Sequence, residues 1–129
     1  MSRITKAALA YVLPVFALAF GIGALRVTLV APITGAFWAV ALEIPLVLGS
    51  AWFTAGLVLR RWPLPIASRA AMGATAFALL MLLELATALA FGQTPLQFLS
   101  AMTTAPGLLG LAGQIGFGLL PALRVQPRG

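Results

Sequence analysis

Three ionisable side chains stand alone in long apolar runs: Arg26 in GIGALRVTLV, Glu43 in ALEIPLV and Glu84 in LLELATALA. The two glutamates are the only acidic residues of the chain. A guanidinium can hold one carboxylate as a forked ion pair, but it cannot neutralise two. The surplus negative charge then has three outlets: a proton, a bound cation or ligand amine, or water in a crevice. Histidine and cysteine are both absent. That removes thiol chemistry, Cys/His metal sites and the commonest general base, so neither a metal nor a cofactor is expected and an enzyme is the least expected class.

Composition says what surrounds these charges. Of 129 residues, 62% are hydrophobic and 8% charged, and the mean hydropathy is +1.09. Too little polar surface is available to cover a water-soluble domain, so the solvent for most of the chain is lipid. A net charge of +6 would point to nucleic acid in a soluble protein. Here the basic residues cluster at the ends of apolar segments and read as topology signals, so no nucleic acid partner is expected. Four segments are long enough to cross a ~30 Å hydrocarbon core as helices: residues 7–30, 35–59, 70–91 and 105–123. The expected fold is an all-α membrane protein, one polytopic domain over residues 1–129 forming an antiparallel four-helix bundle. Ala17-Leu18-Ala19 offers a signal-peptide-like cleavage site, but hydrophobicity continues to Val30, which favours an uncleaved first helix.

Arg3 and Lys6 precede the first span, Arg60, Arg61 and Arg69 occupy the middle connection, and Arg124 and Arg128 follow the last. The other two connections carry no charge. By the positive-inside rule both termini and the middle loop are cytoplasmic, in a bacterial inner membrane. Tyr11, Trp38 and Trp62 are expected at the interfaces. Prolines 63 and 65 should keep the middle loop, residues 60–69, extended.

GQTPLQFLSAMTTAPG carries two helix starts, Thr94 before Pro95 and Thr103-Thr104 before Pro106. Either one helix is broken at Pro106, or a short periplasmic interfacial helix over 95–102 precedes a span beginning at Ala105. The second fits the bilayer better. Gly107, Gly110, Gly113 and Gly116 then form a small-residue face, for packing within the bundle or against a second copy.

Depth decides whether the charges meet. Glu43, Glu84 and Arg26 each lie six to eight residues, or ~9–12 Å, inside the periplasmic ends of their helices, at one level. Pro45 withdraws the hydrogen bond to the Ala41 carbonyl and is expected to break or bend its helix beside Glu43. Thr103 and Thr104 are candidate polar support for the glutamates. Gln114, assigned to the cytoplasmic half, is expected to hydrogen-bond a neighbouring helix.

GIGALR followed by VTL is similar to the first-helix glycine–arginine motif of small fluoride channels, but the asparagine and the serine, threonine and phenylalanine cluster of their later helices are missing. Small multidrug transporters share the size, with an acidic residue where this chain has Arg26. The run LRVTLVAP, TG and ALEIP resembles small uncharacterised four-helix inner-membrane proteins of proteobacteria over the first half of the chain, a resemblance that implies the fold and no activity. Two functions follow from the residues. One is a structural or accessory membrane protein, alone or as a subunit of a larger complex, locked by its Arg/Glu layer. The other is a homo-oligomeric proton- or cation-coupled transporter or channel using Glu43 and Glu84.

Overall fold

The computed structural model describes residues 2–124. They form α1 (Arg3–Leu25), a π-helical turn (Arg26–Val30), α2 (Ala31–Thr34), α3 (Ala36–Arg61), α4 (Ile66–Ala90), α5 (Pro95–Ala101) and α6 (Ala105–Leu123). Four helical stretches, Arg3–Thr34, Ala36–Arg61, Ile66–Ala90 and Ala105–Leu123, are long and apolar enough to cross a membrane.

The first stretch is longer than its sequence suggests. Pro32 has no N–H to offer the Thr28 carbonyl, and a π turn, in which Ala31 N–H reaches back to the Arg26 carbonyl, carries the helix past this gap. The chain then reverses at one residue, Gly35, with φ +85° and ψ 158°. A side chain at that φ would be strained, which is why glycine stands there. The expected loop over 31–34 is therefore helix. The middle loop also shortens to residues 62–65, and Arg69 lies within α4.

α1 packs on α3 and α4, and α6 packs on the same two, so α1/α6 and α3/α4 occupy the diagonals of a square. The link from α3 to α4 must cross one diagonal in four residues. Extended chain covers ~13 Å in that length, which matches the diagonal of a square with ~9 Å sides. Pro63 and Pro65 hold it extended. Successive spans alternate in direction. This brings Arg3, Lys6, Arg60, Arg61, Arg69 and Arg124 to one end, called here the basic end. Arg128 lies outside the described residues. At this end Arg69, only 9% exposed, donates from Nη1 to the Arg124 carbonyl at 2.5 Å and ties α4 to α6. The Arg124 guanidinium lies 4.4 Å from the centre of the Trp52 ring, against Gly56.

Packing is uneven along the bundle axis. The contiguous core (Tyr11, Val15, Ala55, Met72, Leu80 and Phe117 among others) lies in the half next to the basic end. There α4 and α6 approach so closely that a Cβ on Gly73 would collide with the Gly118 carbonyl. Many large apolar side chains point outward instead, including Leu42, Phe53, Leu82 and Leu123. Water would oppose that arrangement, whereas lipid tails do not.

Three prolines sit inside helices, Pro14, Pro45 and Pro121, each leaving a carbonyl four residues earlier without its usual donor. α3 nevertheless runs unbroken through Pro45, so the expected break beside Glu43 does not occur. Pro121 orphans the Phe117 carbonyl, and the Tyr11 hydroxyl donates to it at 2.7 Å while the two rings stack at 4.4 Å. Tyr11 is thus a core residue, fully buried, and not an interfacial ring. Tyr11→Phe is expected to cost about 1–3 kcal/mol by leaving that carbonyl unpaired. In a Pro121→Ala background, which restores the N–H, the same change should cost far less; reversible unfolding in detergent reads both.

Candidate ligand cleft

Away from the basic end the four long helices part around a cleft of about 940 Å³. Its cause is side-chain volume. Ala19, Gly23, Ala24, Ala36, Ala88 and Gly110 line it, positions where bulkier residues would have filled the space. Val15, Leu80 and Phe117 also line it and belong to the core below, so they form its floor. The opposite end carries Thr28, Gln93, Thr104 and the ring of Phe91.

Arg26, Glu43 and Glu84 all line this cleft, as their depths anticipate. Arg26 Nε lies 2.6 Å from Glu43 Oε2, a close ion pair in which the N–H does not point along the N···O line. Both side chains are partly open, 32% and 16% exposed. The pair forms because the helical stretches Arg3–Thr34 and Ala36–Arg61 are joined by Gly35 alone, so residues at nearly the same distance from the turn face one another.

Glu84 has a different partner. Its Oε2 accepts a hydrogen bond from Gln114 Nε2, and among the described residues no basic side chain forms an ion pair with it. Taking the Gly73–Gly118 contact as level, the Gln114 backbone lies about seven residues, or ~10 Å, nearer the basic end than that of Glu84. The two still meet because Cα–Cβ bonds tilt toward each helix's N-terminus. In antiparallel helices that tilt sends Glu84 down and Gln114 up. Backbone depth alone puts Gln114 outside the charged layer, and side-chain direction brings it in.

The threonines do not serve as expected. Thr104 Oγ1 caps α6, accepting from Gly107 N at 3.1 Å and donating to the Ala101 carbonyl at 2.7 Å. Thr103 Oγ1 donates to the Ser100 carbonyl at 2.7 Å. Neither hydroxyl is hydrogen-bonded to a glutamate. Pro106 occupies the first turn of α6 and starts a helix instead of breaking one. α5 is a separate helix, begun by a capping box in which Thr94 Oγ1 accepts from Gln97 N and Gln97 Oε1 accepts from Thr94 N. It packs against α4.

The glycine face of α6 packs within the bundle. Gly110, Gly113 and Gly116 meet Val40, Ile44 and Leu48, a ridge of α3 with a four-residue spacing. Among the described residues no cluster of three or more metal-ligating side chains occurs. The cleft therefore offers an ion-paired arginine, a second carboxylate held only by an amide, and phenylalanine rings at positions 16, 20, 91, 98 and 117. No protein-family model, no curated protein and no solved structure matches the chain.

Proposed function

We propose that this four-span membrane protein binds a small organic cation in the cleft and carries it across a bacterial inner membrane, with Glu84 as the anionic contact. The supporting observation is that Glu84 lines an open cleft whose one lining cation among the described residues, Arg26, is already held by Glu43. With Glu84 ionised, the three charges sum to −1, which an ammonium or a proton would balance. The phenylalanine faces suit an ammonium, since aromatic rings attract cations. The alignment of basic residues at one end favours that end, with both termini, on the cytoplasmic side, so that the cleft opens to the periplasm. α5 then lies on the periplasmic side of the bundle.

Proteoliposomes containing the protein should accumulate hexyltrimethylammonium faster than empty vesicles, and Glu84→Gln should reduce uptake to the empty-vesicle rate. Equal uptake by wild type and Glu84→Gln rejects the reading. Orientation has its own test, helped by the absence of native cysteine. In spheroplasts a membrane-impermeant maleimide should label Ser100→Cys and not Ala67→Cys; the reverse pattern would invert the topology.

A second reading draws on the Arg26–Glu43 pair and the tight α3–α6 and α4–α6 seams. In it the charged layer fixes helix register in an accessory protein, acting as a homo-oligomer or as a subunit of a larger membrane complex. It predicts no uptake by any variant.

A further inference from the structure

A second hollow, about 490 Å³, lies between α4 and α5, lined by Phe77, Met81, Leu85, Phe98 and Leu99 among other apolar residues. Among the described residues Phe98 alone lines both this groove and the charged cleft. Its ring is half-buried, on a helix that has no buried residue to anchor it. Glu84 and Leu85 are successive residues of α4, the first lining the cleft and the second the groove. The carboxylate and the apolar channel thus sit at one depth, on either side of a single helix edge.

We propose that the cation taken by the cleft is a single-chain amphiphile admitted sideways from the bilayer, its ammonium group on Glu84 and its alkyl chain passing Phe98 into the groove between α4 and α5. This rests on the cation-binding reading above and adds the ligand's class and its route. Charge complementarity fixes the head, because an ammonium replaces the cation that Glu84 lacks. Continuity through Phe98 fixes the tail. An alkyl chain gains little hydrophobic free energy by moving from lipid into the groove, since lipid tails are as apolar as the groove walls. The groove therefore acts as a path and a seat, and the carboxylate supplies the selectivity.

Dodecyltrimethylammonium with a diazirine on its terminal carbon provides the test, photolysed with the intact protein in bilayer nanodiscs and mapped by mass spectrometry. Label is expected on the stretches containing residues 77–85 and 95–99, and it should be lost on addition of excess hexyltrimethylammonium and in Glu84→Gln. Ala78→Trp, which fills the groove while leaving the cleft intact, should move the label away from those stretches. Label spread over all lipid-facing helices and indifferent to competitor, Glu84→Gln and Ala78→Trp would overturn the lateral route. If hexyltrimethylammonium still bound in that case, the cation site would stand without the amphiphile. If it bound nowhere, the underlying reading would fail as well.

Discussion

Arg26→Ala is expected to destabilise the bundle, by no more than the about 3–5 kcal/mol that removing one partner from a fully buried ion pair costs. Its loss would leave Glu43 and Glu84 in one cleft with no cation between them. The lower end of the range is the better expectation, because the Arg26 side chain is 32% exposed and the cleft can admit water. Glu43→Gln alone should cost less, since Arg26 can turn to Glu84, the other carboxylate of the cleft. Arg26→Ala combined with Glu43→Gln should recover much of the single-variant loss, because no unpaired charge is created. Denaturation in detergent measures all three, and strictly additive losses would mean that the pair does not act as a unit.

Much of the architecture was legible from elementary signals. Lipid length and hydropathy mark the four spans, and Thr94-Pro95 and Thr104 before Pro106 mark two separate helix starts, both observed. The level of Arg26, Glu43 and Glu84 follows from counting residues inward from the helix ends. Other features depend on where side chains point and on what volume they leave. Tyr11 looks interfacial by position, yet Pro121, more than a hundred residues away, orphans the Phe117 carbonyl that draws it into the core. Gln114 looks too deep until the opposite tilts of α4 and α6 side chains are considered. Pro45 deletes one hydrogen bond without ending α3, because packing and the remaining helical bonds on both sides hold its shape. Pro32 acts through a π turn that no local pattern announces. The cleft itself is a sum of absences, small residues on several inward faces, and only the assembled bundle reveals them together.

Cation affinity should be governed by Glu84 and not by the number of charges in the cleft. Removing one partner of a desolvated charge pair costs about 2–5 kcal/mol in binding, so Glu84→Gln should weaken a monovalent ammonium by roughly 30-fold or more. Arg26→Ala with Glu43→Gln deletes one positive and one negative charge and leaves the net charge of the cleft at −1. That double variant should bind with nearly wild-type affinity. Glu43→Gln alone frees Arg26 to pair with Glu84 and should weaken binding, although Glu84 itself is untouched. Arg26→Ala with Glu84→Gln also leaves a net charge of −1, carried by Glu43, and weaker binding there than in the first double variant separates a Glu84 site from diffuse attraction.

Titration calorimetry of hexyltrimethylammonium into nanodiscs containing the wild type, Glu84→Gln, or the Arg26→Ala/Glu43→Gln double variant tests this most directly. The account predicts saturable binding to the wild type and the double variant, with loss in Glu84→Gln. Unchanged binding in Glu84→Gln, or no saturable binding to any of the three, would contradict it.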